Sequence, residues 1–544
     1  MNATPRAAAS GGGIVLLTLA AGQFLMTLDT SVMNVSIATV AEDVGTTVTG
    51  IQTAITLYTL VMAMFMITGG KLGALIGRRR AFSIGCVIYG CGSLTTSLTP
   101  GLGTLILGWS FLEGLGAVLI MPAIVALVAS NFGRAQRPRA YGLVASAGAM
   151  AVAVGPLVGG LVTTYFSWRW IFAGEVVLVL AILLLARGME EALPERRPTL
   201  DLAGTALSAA GLGLTVYAVL RSSTWGWVLP NAGAPHLLGI SITLWLILTG
   251  AIVLWAFLAW EHRRLSRDHE PLLDPAILGN RQLRGGLTVF FFQFLLQAGL
   301  FFVVPLFLSI VLGLSALQTG ARLLPLSITL LLAAAGIPKV APRVSPRRVV
   351  QAGLFALFAG LVAFLAALHV GAGPEITTGP MLLAGLGIGS LASQLGSVTV
   401  SAVPDQQASE VGGLQNTSTN LGASVGTALA GSVLIAVLTT SFLHGISQNP
   451  AVPKQVTSHA EVTLASGVPF ISDATLARTL SDVGVPPPTA AAILGENESA
   501  RVQALRAAIA TLAVIAAISL FFTRHIPTEQ PGRNHESPDT KTSA

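Results

Sequence analysis

Apolar residues in this chain gather into long runs separated by short polar breaks. A bilayer core takes about 20 apolar residues of helix. On that scale fourteen runs stand out, near 14–38, 50–70, 82–99, 102–128, 141–165, 168–187, 200–220 and 238–260, then 287–312, 318–338, 350–370, 378–402, 411–441 and 501–523. The pattern predicts an all-α integral membrane protein with about fourteen transmembrane helices.

Two stretches fall outside this scheme. Residues 443–500 carry Pro450, Pro453 and the run Pro486-Pro487-Pro488, and are expected as an external loop with a short helix or two. The tail 524–544 is polar, and is expected to be cytoplasmic and disordered. A weak repeat joins the two halves. Gly70-Lys71-Leu72-Gly73-Ala74-Leu75-Ile76-Gly77-Arg78-Arg79-Arg80 follows the second run, and Gly336 to Arg348 follows the tenth. Both are a small-residue helix end leading into a basic turn, as a duplicated architecture requires. The expected division is a cytoplasmic N-terminus (1–13), a six-helix bundle (14–190), two inserted helices (200–260), a cytoplasmic linker (261–286) and a second six-helix bundle (287–523).

Composition agrees with a membrane solvent. Only 10% of residues are charged and the mean hydropathy is +0.75, against about 25% charge in a soluble domain. The 59 glycines suit helices packed closely where no hydrophobic effect drives them together. The net charge of +6 comes from bases placed mostly at the N-terminus, on alternate loops and in the tail. Arg78, Arg79 and Arg80 follow run two, Arg134, Arg137 and Arg139 follow run four, and Arg263, Arg264 and Arg267 follow run eight. Arg343, Arg347 and Arg348 follow run ten, whereas the loop after run twelve holds Asp405 and Glu410 and no base. That is a positive-inside pattern, with both termini cytoplasmic, and it excludes a nucleic-acid stripe. No cleavable signal peptide is expected, because the first run is long enough to stay as a helix. Cys86 and Cys91 are read as two inert thiols, with no His/Cys cluster for a metal and no G-x-x-x-x-G-K-S/T phosphate loop for an ATP-driven pump. No cofactor is expected, and no enzyme activity.

Candidate chemistry lies in the charges that the membrane makes expensive, about 2.5–3.5 kcal/mol for an Asp at a helix centre. Asp29 in helix one, Glu113 in helix four and Glu175 in helix six sit well inside apolar runs. Asp29 is the first candidate proton carrier and, when ionised, could attract a cationic substrate. Its alternative role is a structural acid held by a hydroxyl or amide. Glu113, flanked by Gly114 and Gly116, has the same two readings, and Glu175 has the further alternative of an ion pair with Arg169. The second half offers neutral polar groups: Gln293, Gln297, Gln394, Gln415, Asn416 and Asn420. They could line a substrate path or act as interhelical hydrogen-bonding glue. Phe290-Phe291-Phe292 and Phe301-Phe302 could receive an apolar or cationic compound, or simply pack. Gly155-Pro156-Leu157-Val158-Gly159-Gly160 is expected to interrupt helix five, as a contact between halves or as a packing kink.

Several segments together resemble the major facilitator superfamily, and within it the fourteen-helix drug:proton antiporter subfamily (the EmrB/QacA type). Leu28-Asp29-Thr30-Ser31-Val32-Met33-Asn34-Val35 is similar to that subfamily's helix-one signature, and Gly155-Pro156 with Gly159-Gly160 to its antiporter motif. Ser167-Trp168-Arg169-Trp170-Ile171-Phe172, Pro271-Leu272-Leu273-Asp274, Val311-Leu312-Gly313-Leu314-Ser315 and Gly412-Gly413-Leu414-Gln415-Asn416 stand at the places the subfamily leads one to expect. The resemblance implies the major facilitator fold: two six-helix bundles, an added central helix pair and alternating access. It implies export of small, often amphipathic or cationic molecules against inward protons by a monomer in a bacterial plasma membrane. Asp29, Asn34, Glu113 and Glu175 then become proton-coupling or substrate residues. Gly70, Gly73, Gly77, Arg78, Arg79, Gly155, Pro156, Gly159 and Gly160 become the conformational motifs.

Three motifs depart from the family pattern, at four positions. Ala74 stands where the helix-two motif usually has Asp, Ser110 and Glu113 where helix four has Arg and Gln, and Glu175 where helix six has Asn. Two neutral positions have become acids together, so the expected proton path is rewired around Asp29, Glu113 and Glu175. The competing readings are a dedicated exporter of an endogenous metabolite, lipid, siderophore or self-made antibiotic, and a membrane sensor without transport.

Overall fold

The computed structural model describes residues 6–46, 48–133, 136–189, 199–231, 233–341, 343–404, 407–453 and 470–528. Side chains of Asn34 and a few other helical residues lie outside that description, as do Arg134, Asp405 and the tail from 529 onward.

The helices are α1 (Arg6–Asp43), α2 (Val48–Ile76), α3 (Arg78–Ser97), α4 (Leu102–Asn131), α5 (Arg137–Tyr165), α6 (Arg169–Ala186), α7 (Leu202–Trp225) and α8 (Ile242–Leu265). They continue as α9 (Arg281–Val311), α10 (Ala316–Val340), α11 (Pro346–Ala367), α12 (Thr378–Val400), α13 (Ala408–Gln448), the short α14 (Asp473–Asp482) and α15 (Pro487–Phe522). Thirteen of the described helices are long and apolar enough to cross a membrane. The fourteenth is α3, 20 residues long, less apolar because it opens on three arginines and is rich in Gly, Ser and Thr. A two-stranded ribbon, β1 (His236–Leu237) against β2 (Ile240–Ser241), turns through Leu238 and Gly239, both at positive φ, between α7 and α8.

Helix pairing repeats in the two halves. In the first, α1 lies on α5, α2 on α4, and α3 on both α4 and α6; in the second, α9 lies on α13, α10 on α12, and α11 on both α12 and α15. The halves meet along two equivalent seams, α2 with α13 and α10 with α5, and α7 of the added pair docks beside α2 and α13. This is the major facilitator fold with a central extra helix pair. Large apolar side chains such as Val177, Leu180 and Leu184 on α6 and Ile252 and Trp255 on α8 are exposed. Such faces suit lipid rather than water.

At the face onto which the basic loops open, the α2–α13 seam is tight. A Cβ on Gly70 would meet the Ser409 carbonyl oxygen at 2.7 Å, and Lys71 Nζ pairs with Glu410 Oε1 at 3.7 Å across the seam. Leu272 and Leu273 of the segment between α8 and α9 are buried there among Ile67, Ala129, Val400 and Val411. The Arg78 guanidinium donates to the Ala126 carbonyl at 3.2 Å, in the last turns of α4, and that of Arg79 to the Met189 carbonyl at 2.7 Å, just past the end of α6. Gly77, at φ 100°, makes the turn that lets α3 begin, and Gly73 is buried one turn before it.

Two expectations differ from what is found. Helix five is not interrupted: α5 runs through Gly155 and Pro156 to Tyr165, with Gly155 against Ser31 and Gly159 against Val32 of α1. Gly160 is buried beside them. Pro156 abuts Gly320 of α10, so this stretch touches both halves. Within 443–500, α13 carries on to Gln448 and α15 already starts at Pro487, leaving α14 between them. The 41 residues of α13 span about 60 Å at 1.5 Å each, twice a bilayer core, so apolarity ends before the helix does. Pro487 and Pro488 sit in the first turn of α15, where no N–H is needed.

Candidate functional site

The three acids singled out in the sequence come together. One carboxylate oxygen from each of Asp29, Glu113 and Glu175 lies within 4.8 Å of the others. All three side chains are buried, at 1%, 0% and 2% exposure. They reach this point from α1, α4 and α6, with α3 packed alongside.

The local fold of α4 is what brings Glu113 here. Residues Ile106–Glu113 form a π-helical stretch between Leu102–Leu105 and the regular helix from Gly114. Such wide turns insert a residue and re-aim side chains, often at functional sites. Gly92 of α3 lets this turn approach: a Cβ there would meet Glu113 Cγ at 2.6 Å and the Gly108 carbonyl at 2.7 Å. Trp109, in the same stretch, donates its indole N–H to Asp29, with Oδ1 at 2.9 Å and Oδ2 at 3.1 Å. Tyr58 of α2 stacks on that indole at 5.5 Å between ring centroids, fixing its plane.

Glu175 Oε2 accepts from Ser93 at 3.1 Å and from Tyr89 at 3.4 Å, and Glu113 Oε1 accepts from Thr96 at 3.4 Å. One oxygen of each glutamate, Glu113 Oε2 and Glu175 Oε1, is buried with no protein partner. Buried acceptors are normally satisfied, so these two atoms mark unspent capacity. Protons, an approaching cationic group or a hard cation would each match three clustered carboxylate oxygens.

The alternative pairing of Glu175 with Arg169 is not found. Arg169 instead forms an ion pair with Asp43, which also accepts from Trp168 at 2.8 Å, and donates to the Thr99 carbonyl at 3.0 Å. The arginine is tied to the end of the bundle, and Glu175 is left to the cluster. Ser110, at the position where the family carries Arg, donates to the Ala54 carbonyl of α2 at 2.7 Å.

The neutral polar residues of the second half do not gather in the same way. Gln415 bonds Thr399 of α12, Gln394 donates to Ser393 at 3.3 Å, and Asn416 and Asn420 donate to carbonyls one turn back in α13 at 2.8 Å. Those amides are spent on their own scaffold. Gln293 of α9 is different, 3% exposed with its Oε1 unpaired. Gln297 lies one turn further along and is half-buried. Of Asn34, only its place in α1 is described.

Trp109, Tyr58, Tyr89, Ser93 and Thr96 were not singled out in the sequence. The one signal for them is position: Trp109 stands four residues before Glu113, and Tyr89, Ser93 and Thr96 recur at helical spacing on the α3 face that meets α4 and α6.

A duplicated bundle of membrane-spanning helices, with acids buried in one half and an extra pair beside the seam, is the build of a secondary transporter. The chain belongs to the Major Facilitator Superfamily, whose sequence pattern matches residues 19–427. It is 30% identical to the puromycin resistance protein pur8 of Streptomyces alboniger, over 86% of this chain and 91% of that one. It is 28% identical to the multidrug resistance protein Stp of Mycobacterium tuberculosis (strain CDC 1551 / Oshkosh), over 84% and 82%. Its fold is similar to the crystal structure of the human organic anion transporter MFSD10 (TETRAN), with a TM-score of 0.57, 14% identity, and coverage of 96% of this chain and 100% of that one.

Proposed function

We propose that this chain is an efflux transporter that moves small amphipathic or cationic compounds out of a bacterial cell in exchange for protons. The observation that carries the reading is the cluster of Asp29, Glu113 and Glu175. Two unit charges 4.8 Å apart repel by about 3–4 kcal/mol at an effective dielectric near 20. Three such pairs make the fully charged cluster untenable without a proton or a cation in it. Protons and a cationic substrate therefore compete for the same oxygens. Protonation of Asp29 from outside releases the substrate there, and deprotonation toward the cytoplasm resets the site. Each inward proton contributes about 2.3 kcal/mol per 100 mV.

Further support comes from similarity to proteins named for drug and antibiotic resistance. The fourteen helices with an inserted pair fit the EmrB/QacA-type drug:proton antiporters. The alternate basic loops fit a plasma-membrane protein with both termini cytoplasmic. On that orientation the tight α2–α13 seam, held by Lys71 and Glu410, closes the cytoplasmic side, as one state of alternating access demands. Gln293 and Gln297 of α9, with Asn34 of α1, contribute to the substrate path.

A second reading is a dedicated exporter of one compound, favoured by the similarity to a protein named for puromycin resistance alone. Reconstitution into proteoliposomes with an imposed pH gradient, and a panel of cationic and neutral compounds, tests both. Antiport of several unrelated cations, lost in Asp29→Asn, is the expected result. Transport of a single compound would favour the second reading, and export with no dependence on the proton gradient would overturn the coupling.

A further inference from the structure

At the face onto which the basic loops open, a cleft of about 440 Å³ is lined by Arg343, Ser345, Arg347, Arg348, Gln351 and Thr528. It lies at the first turn of α11. Its walls are fixed. The Ser345 hydroxyl accepts from the Arg348 N–H at 3.4 Å, the Arg347 N–H donates to the Pro527 carbonyl at 3.3 Å, and Gln351 donates to Thr523 at 3.1 Å. Ile526, 2% exposed, anchors the segment that carries Thr528.

Among the described residues the charge in this cleft is one-signed. None of the ion pairs among the described residues involves Arg343, Arg347 or Arg348. The N-terminal end of α11 adds positive potential at the same place. Planar guanidinium groups so placed suit a phosphate, which they bind through paired N–H donors. Beside them in sequence stand exposed apolar residues, Val340 at 86% before Arg343 and Val344 at 37% just after it. A soluble anion has no use for such a neighbour, whereas an acyl chain does.

We propose that this cleft binds the headgroup of an anionic phospholipid, with the phosphate on Arg343, Arg347 and Arg348 and the acyl chains along Val340 and Val344. Basic clefts between spanning helices at the membrane surface take such headgroups, and lipid there is far more concentrated than any free phosphate. The site lies apart from the acid cluster and is independent of what the protein transports.

Native mass spectrometry of the full-length protein in detergent tests this, with phosphatidylglycerol, phosphatidylcholine and inorganic phosphate as the probes. The expected result is selective retention of phosphatidylglycerol, weakened about tenfold or more in Arg343→Gln/Arg347→Gln/Arg348→Gln, since each lost charge-assisted bond is of that order. Arg263→Gln/Arg267→Gln, which removes exposed charge from another loop, should bind as the parent does. If the triple variant does not fold, Arg348→Gln alone, at an exposed position, should still lower retention severalfold. Equal binding of the two lipids, unchanged retention in the arginine variants, or full displacement of lipid by millimolar phosphate would each overturn the proposal.

Discussion

The two halves of this protein share a helix-pairing scheme but not a chemistry. In the first, α1, α4 and α6 each send a buried acid to one point. In the second, the structurally equivalent helices α9, α12 and α15 enclose a core of Leu, Val, Ile and Phe with no matching cluster among the described residues. Its buried polar groups are mostly hydroxyls, with a few amides, many of them bonded to their own or the adjacent helix. A duplicated scaffold can thus cluster buried acids in one copy, while the buried Arg501 of the other is paired with Asp473. A single half-buried acid in each copy would repel nothing. Three in one copy exert on each other the forces that make proton and cation compete.

This contrast can be broken by substitution. The largest effect is expected from Asp29→Asn or Glu113→Gln: loss of gradient-driven transport by about a hundredfold, as removal of a functional intramembrane charge implies, read as initial rates in proteoliposomes. Trp109→Phe keeps the stack on Tyr58 but removes the N–H that holds Asp29. A hydrogen bond to a charged group is worth about 1.5–3 kcal/mol, so transport should fall roughly ten- to a hundredfold while the unfolding temperature stays close to that of the parent. Gly70→Val places a side chain against the Ser409 carbonyl and should open the α2–α13 seam. Accessibility of an introduced cysteine near Ile67 to a membrane-impermeant reagent would rise. In the second half, Gln293→Leu should change the apparent affinity for substrate by about three- to tenfold, as loss of one neutral hydrogen bond predicts, with little change in proton coupling. Gln415→Leu should cost only about 0.6 kcal/mol of stability, the mean for an interhelical bond in a membrane, with transport intact. An effect of Gln293→Leu on coupling as large as that of Asp29→Asn would erase the distinction between the halves.

The helix count and the three acids were legible in the sequence because both are written in hydropathy. A run of about 20 apolar residues announces a span, and an acid within it announces itself. That these acids act together was inferred from the departures from the family pattern, but the geometry of their meeting was not legible. It depends on the π-helical turn Ile106–Glu113, which a 3.6-residue period cannot foresee, and on close approach at Gly92. Trp109 was passed over because an indole in an apolar run looks like packing until its partner is known. Glu410 was read as part of a loop without bases, yet it lies in the first turn of α13 and pairs with Lys71 from the other half. Where helices outrun the bilayer, as α13 and α15 do, apolarity no longer reports their ends.

The most direct test of the central claim is proton release on substrate binding in weakly buffered detergent solution, followed with a pH-sensitive dye. An exchanging cluster predicts that adding a transported cation releases protons from the parent protein, and that Asp29→Asn/Glu113→Gln/Glu175→Gln releases none. Binding of the cation without proton release by the parent, or equal release from the triple variant, would contradict it.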